Sequence, residues 1–168
     1  MATLLGSHVI ETNKKNILAF LERGFGEKEE DYLVLSPLEA LYLSEVKKIK
    51  VKEGRNVFSF EKLLEIFKKL DKNILMKYFV YSDLRKNGYI VRTGLKYGSY
   101  FRVYEKGIRV GEGHSHWLVQ PISENWKTSI YEIARAIRLA HSVRKKMIWA
   151  VVDSEGDITY YKIERILP

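Results

Sequence analysis

Six consecutive apolar residues late in the chain, Met147-Ile148-Trp149-Ala150-Val151-Val152, constrain the fold more than any other segment. A run with no polar interruption suits a central strand, one covered on both faces. Just upstream, Ser129-Ile130-Tyr131-Glu132 has the form of a capping box, with Ser129 as cap. The helix it opens is expected to bury Ile130, Ile133, Ala134, Ile137 and either Ala140 or His141. Just downstream, Asp153-Ser154-Glu155-Gly156-Asp157 turns the chain into a last strand over 158–166. Three more strands are expected over 89–93, 100–104 and 116–122, joined by a turn-rich connection at 94–98 and a polar loop at 105–113. A helix over 74–86, closed by Asn87-Gly88, precedes them. These elements predict a central mixed β-sheet flanked by helices, an α/β (α+β) arrangement.

The first half reads as a separate mixed α/β domain over 1–72, followed by the sheet domain over 73–168. Asp71-Lys72-Asn73 is the boundary candidate. Asn13 caps an expected helix over 14–23 with Ile17, Leu18 and Leu21 at helical spacing. Ser36-Pro37-Leu38-Glu39 combines a cap, a proline at the first helical position and a glutamate able to close a capping box. That helix is expected to bury Leu38, Leu41, Tyr42 and Val46, and Ser59 to cap another over 61–70. Strands are expected at 8–11 and 32–35.

Charge separates the halves. The chain of 168 residues carries 29 Lys/Arg against 21 Asp/Glu. Residues 1–72 hold 13 against 12, and residues 73–168 hold 16 against 9, so the second half is the expected polyanion-binding half. Cysteine is absent, which excludes disulfides, Cys-based zinc sites and thiol nucleophiles. No apolar run approaches the length of a membrane span, and no leader pattern opens the sequence. The expectation is a soluble, cytoplasmic protein.

Three side chains in the basic half can cleave RNA together. Tyr104 ends Phe101-Arg102-Val103-Tyr104, His114 opens His114-Ser115-His116-Trp117-Leu118-Val119, and Lys145 follows His141-Ser142-Val143-Arg144. RNA carries its own nucleophile, the 2′-hydroxyl. Attack on the adjacent phosphate needs a base for the 2′ proton, an acid for the departing 5′ oxygen and a cation for the phosphorane. A phenol serves as base only with positive charge beside it. Imidazole changes charge near neutrality and suits the acid role. An ammonium suits the third. Taken singly, each residue has an ordinary reading: a strand tyrosine, a surface histidine in a glycine-rich loop, and a lysine complementing a helix end.

Their surroundings argue otherwise. The second half resembles the catalytic domain of the archaeal tRNA splicing endonucleases. The likeness runs through Tyr81-Ser82-Asp83-Leu84-Arg85, Gly88-Tyr89-Ile90-Val91, Gly94-Leu95-Lys96-Tyr97-Gly98 and the three segments above, then Ala150-Val151-Val152-Asp153 and Gly156-Asp157-Ile158-Thr159-Tyr160-Tyr161. The first half is similar to that family's N-terminal domain at Leu35-Ser36-Pro37-Leu38-Glu39-Ala40-Leu41-Tyr42-Leu43. The resemblance implies a catalytic triad of Tyr104, His114 and Lys145, its motif frame selecting His114 over His116 and Lys145 over Lys146. It implies precursor tRNA as substrate, cut at bulge-helix-bulge junctions to leave 2′,3′-cyclic phosphate and 5′-hydroxyl ends with no metal or other cofactor. It also implies an arginine clamp on a bulged base, its side chains donated by the opposing subunit, with Arg138 at one position and Arg165 chosen for the other. A homotetramer is implied as well, built partly by an acidic loop (Asp153, Glu155, Asp157) entering a basic cleft of a neighbouring subunit, with the last strand pairing subunits.

Two rivals stand beside this reading. A non-catalytic RNA-binding subunit of a hetero-oligomeric splicing endonuclease would share the fold without needing all three triad types. A metal-dependent nuclease needs a carboxylate cluster, usually with Glu-x-Lys. The near match, Glu45-Val46-Lys47, falls at an expected helix end in the first half.

Overall fold

The computed structural model describes residues 1–93, 101–108 and 111–168. The connection expected at 94–98, residue 100 of the second expected strand and part of the 105–113 loop lie outside the described residues. The chain divides into two compact units, Met1–Tyr78 and Phe79–Pro168, so the division falls a few residues beyond Asp71-Lys72-Asn73.

In the first unit, β1 (Ala2–Leu5), β2 (His8–Glu11), α1 (Lys14–Glu22), β3 (Glu27–Lys28), β4 (Leu33–Leu35), α2 (Pro37–Glu45), β5 (Val51–Glu53), β6 (Asn56–Phe58) and α3 (Phe60–Leu70) follow in order. The strands form one sheet, β3-β4-β2-β1-β5-β6, in which β1 and β5 run parallel and all other pairs are antiparallel. Asn13, Ser36 and Ser59 cap α1, α2 and α3, and Ser36 with Glu39 closes the capping box. The sequence did not announce β5 and β6. Each is three residues long with polar interruptions, and the pair is joined by a turn in which Gly54 has φ 58°.

Two carboxylates in this unit are buried and fully engaged. Glu11 accepts from Asn13 N at 2.8 Å and Asn16 Nδ2 at 2.9 Å. Glu39 accepts from Gly26 N at 2.8 Å and from Ser36 N and Oγ at 2.9 Å each. Neither was expected inside. On α1, Ile17 and Phe20 are buried while Leu18 is exposed, and on α2 the buried side chains are Glu39, Ala40, Leu41 and Leu43.

The second unit contains most of α4 (Ile74–Lys86), then β7 (Ile90–Thr93), β8 (Phe101–Tyr104), β9 (Trp117–Ser123), α5 (Ile130–Ser142), β10 (Lys146–Val152) and β11 (Ile158–Ile163). Its sheet has the order β11-β10-β9-β8-β7. β9 and β10 are parallel, which requires a crossover, and α5 provides it. The apolar run expected as a central strand is β10, paired on both edges.

Side chains on the two faces meet different helices. Phe101 contacts Tyr81 of α4, with ring centroids 5.9 Å apart, and Tyr160 bonds Asp83 of α4. On the opposite face, Leu118, Met147 and Ala140 of α5 form a buried cluster joined by Ala136, Val143, Trp149 and Ile163. Strand alternation puts Arg102 and Tyr104 on this α5 side, since Arg102 stands opposite Leu118 and Leu118 opposite Met147.

α5 is rotated from its expected orientation. Ala140, one of the two alternatives expected at the end of the stripe, is buried, and Ala136 and Val143 join it against the sheet, whereas Ile130 is 79% exposed and the other alternative, His141, is exposed. The apolar residues of α5 surround most of its circumference, so periodicity alone did not choose between two candidate stripes. The last strand stops at Ile163 rather than 166, where the pairing with β10 ends at Met147.

Candidate active site

The end of α5 fixes where Lys145 begins. Val143 is the C-cap, Arg144 adopts φ 56°, Arg144 N donates to His141 O at 3.0 Å and Lys145 N to Ala140 O at 2.9 Å. This is a Schellman motif with arginine in the left-handed position that glycine usually takes. A non-glycine residue there costs about 1–2 kcal/mol. The chain then enters β10 at once, so Lys145 sits at the junction of helix and strand.

Three segments converge at this end of the sheet. Tyr104 is the last residue of β8. His116 N donates to Val103 O at 2.9 Å, and His116 O accepts from Lys146 N at 3.1 Å. The 114–116 stretch is thereby threaded between the end of β8 and the start of β10. Lys145 Nζ donates to Ser115 O at 2.9 Å, bonding the lysine to the residue immediately after His114. Alternation puts Tyr104 on the α5 side of the sheet.

The two histidines differ. His116 Nδ1 lies 3.5 Å from Glu105 Oε1, and its ring meets Trp117 edge-on at 5.9 Å. His114 is exposed. His116 is thus braced by two neighbours at the mouth of β9, while His114 stands two residues further out.

Arg138 and Arg165 come from α5 and from the segment after β11, yet both line one small cavity of about 60 Å³ with Ile137 and His141. His141, one of two alternatives for the last position of the buried stripe, instead neighbours the arginines; its adjacency to Arg138 at i,i+3 is the available signal. The acidic turn is internally ordered. Asp153 Oδ1 accepts from Glu155 N and Asp157 N at 2.9 Å each, and Ser154 N donates to Glu124 Oε1 at 2.8 Å. Asp153 therefore shapes the loop, and Glu155 and Asp157 remain exposed. Gly156 has φ 90°, a left-handed backbone that favours glycine, and a Cβ there would crowd the Phe79 ring at 3.2 Å.

Sequence reasoning missed a larger cavity of about 440 Å³ on the other flank of α5, lined by Gln120, Trp126, Glu132, Arg135, Leu139 and Trp149 among others. Among the described residues, no group of three or more His, Asp or Glu is placed to hold a metal ion. Glu45-Val46-Lys47 ends α2 and enters a turn, with Lys47 at φ 56°. No helix among the described residues is long and apolar enough to cross a membrane.

Comparison with known proteins bears on both units. The family model for the tRNA intron endonuclease N-terminal domain matches residues 1–64, and that for the catalytic C-terminal domain of the same family matches residues 74–160. The tRNA-splicing endonuclease of Thermococcus gammatolerans is 44% identical over 162 residues, covering 96% of this chain and 95% of the relative. That of Thermococcus onnurineus is 49% identical over 142 residues, covering 84% and 81%. That of Methanococcus vannielii is 42% identical over 163 residues, covering 96% and 92%. With both domain models in order and near full-length likeness to archaeal splicing enzymes, the chain belongs to the tRNA intron endonuclease family and is an endonuclease.

Proposed function

We propose that this protein excises introns from precursor tRNA, cutting at bulge-helix-bulge junctions by attack of the 2′-hydroxyl on the adjacent phosphate. Tyr104 takes the 2′ proton as the 2′ oxygen bonds to phosphorus. His114 gives a proton to the 5′ oxygen as its bond to phosphorus breaks. Lys145 offsets the charge that builds on the phosphorane. The products are a 2′,3′-cyclic phosphate and a 5′-hydroxyl, and no step calls for a metal. Arg138 and Arg165 grip a bulged base by stacking, which suits unpaired nucleotides. Four like subunits assemble, Asp153, Glu155 and Asp157 forming the inserted loop and β11 pairing edge to edge.

One observation carries the reading: the hydrogen bonds from His116 N to Val103 O, Lys146 N to His116 O and Lys145 Nζ to Ser115 O draw three distant segments to one end of one sheet. The test is incubation of the purified protein alone with a bulge-helix-bulge transcript in excess chelator, followed by analysis of fragment ends. Cyclic phosphate and 5′-hydroxyl ends are expected. Cleavage only after a second subunit is added would overturn self-sufficiency, and 3′-hydroxyl ends would overturn the chemistry.

A further inference from the structure

The cavity of about 440 Å³ beside α5 has no part in the proposed chemistry, and its walls are unlike those of a core. Trp126 is 40% exposed, in the turn between β9 and α5, where its backbone N–H donates to Ser123 O at 2.9 Å. Trp149 of β10 meets it edge-on, centroids 5.3 Å apart at 87°. The indole N–H of Trp149 is buried with no acceptor among the described residues. A buried donor with no partner among the described residues is not a packing optimum, and such costs concentrate at working sites. The same cavity is lined by Gln120, beside Trp149 on the neighbouring strand, and by the pair Arg135–Glu132, 3.7 Å apart and largely exposed.

The cavity's place in the fold points to its occupant. Gln120 pairs with Trp149 in register, and Trp149 lies two residues beyond Met147, so both face the α5 side of the sheet, as Tyr104 does. Trp149 is four residues from Lys145, about 13 Å at roughly 3.3 Å per residue. That is about four stacked nucleotides of a strand. The volume lies in the range of small-ligand pockets. The arginine clamp occupies the other flank, since α5 turns Ile137, Arg138 and His141 to one cavity and Glu132, Arg135 and Leu139 to the other.

We infer that this cavity receives a second unpaired nucleobase of the RNA substrate, stacked on Trp126 and read at its edge by Gln120 and the Arg135–Glu132 pair. The inference rests on the proposed function and adds a specificity site to it. An A-form duplex hides its base edges, whereas a splayed base offers a flat face to an indole and polar atoms to an amide and a guanidinium.

The experiment uses the full chain carrying Tyr104→Phe, so that binding is read without cutting. Affinity for a bulge-helix-bulge transcript is measured with Trp126 intact, with Trp126→Ala and with Trp126→Phe. Alanine is expected to weaken binding roughly ten-fold, and phenylalanine to restore most of it. Transcripts made abasic at one unpaired position at a time then locate the contact. At one position the abasic change and Trp126→Ala should not add, and that position should differ from the one coupled to Arg138→Ala. Gln120→Ala, weakening binding a few-fold with the same coupled position, serves should Trp126→Ala fail to fold.

Unchanged binding by Trp126→Ala overturns the inference. So does a penalty identical for every abasic transcript, and so does a change of oligomeric state as the sole effect, which would mark the cavity as a seat for a second copy. These failures are distinct from failure of the proposed function, which the unmodified protein reveals by not cutting the intact transcript.

Discussion

Helices α2 and α5 end alike, one in each unit, and lead to different outcomes. After α2, Lys47 at φ 56° donates to Ser44 O at 3.0 Å and Lys48 N to Leu43 O at 2.8 Å. After α5, Arg144 at φ 56° donates to His141 O and Lys145 N to Ala140 O. Both are Schellman ends with a cation in the glycine position. Beyond the first, the chain buries Ile49 and enters the short strand β5. Beyond the second, the residue corresponding to Lys48 is Lys145, whose amine is bonded to Ser115 O. One backbone device closes a core in the first unit and delivers an amine beside a histidine segment in the second. The difference lies in what faces the helix end.

The largest effect should separate those two lysines. Lys145→Ala is expected to lower cleavage at saturating RNA by about 10²-fold or more, the scale for losing a group that stabilises the transition state. Lys48→Ala, at the matching position, should leave it unchanged. Tyr104→Phe should fall at least as far as Lys145→Ala, in the range of about 10²–10⁴ for a lost general base. Single-turnover rates at several RNA concentrations check all three, and equal losses for Lys145→Ala and Lys48→Ala would erase the contrast.

Next in size is a stability effect confined to the first unit. Glu39 holds the N–H groups of Gly26 and Ser36, and Glu39→Ala strips both of their acceptor in a closed setting. Hydrogen bonds to charged groups contribute about 1.5–3 kcal/mol each and do not add fully, so a loss of about 3 kcal/mol is expected in denaturant unfolding. The counterpart in the second unit, Glu105 beside His116, is exposed, and Glu105→Ala should cost under about 1 kcal/mol. The two results together ask whether polar groups of the first unit serve structure and those of the second lie open to a substrate.

The sequence carried this contrast unevenly. Ser36-Pro37-Leu38-Glu39 and Ser129 declared their helix starts through local chemistry, which needs no tertiary context. The apolar run of β10 declared a doubly covered strand for the same reason. Arg144 gave no sign of its left-handed backbone, because glycine is the residue that announces such a turn. The face that α5 buries was legible only in part: Ala140 belonged to the expected stripe, but the isoleucines Ile130, Ile133 and Ile137 compete with Ala136 and Val143 around the helix, and Ala136 and Val143 are the ones that join Ala140 against the sheet. Tyr104, His114 and Lys145 could be named as candidates from motifs. The linkage of Lys145 to Ser115 depends on pairings between β8, β9 and β10 that no local pattern encodes. Cavities drawn from β9, β10 and α5 were beyond reach for the same reason.

A smaller effect tests the shared helix end directly. Lys47→Gly and Arg144→Gly each relieve a left-handed side chain and enlarge the freedom of the unfolded chain, opposing terms that should net about 0.5–1 kcal/mol of stabilisation. Lys47→Val and Arg144→Val should instead destabilise by about 1–2 kcal/mol, since a β-branched residue fits that backbone poorly. Denaturant midpoints should move together at both sites. Cleavage per folded molecule should fall for Arg144→Val alone, because only that turn sets the entry of Lys145.

The smallest effect is a pH response belonging to the second unit. Tyr160 Oη donates to Asp83 Oδ2 at 2.6 Å, joining β11 to α4. Burial, then the hydrogen bond to Asp83 and its negative charge, push the phenol well above its ordinary range. The folded state therefore holds this proton at pH values where the unfolded chain, titrating near ~10, has released it. Above that range the unfolded state binds fewer protons than the folded one, so stability must fall as pH rises. Below it the contribution is fully present. The unmodified protein should lose melting temperature between about pH 9 and 11 more steeply than Tyr160→Phe, which lacks the titrating group. The difference should be slight, because Tyr160 is 38% exposed and solvent screens its pairing with Asp83. Parallel melting curves for the two proteins across that interval would mean that the phenol ionises alike folded and unfolded, and that β11 is held to α4 by packing alone.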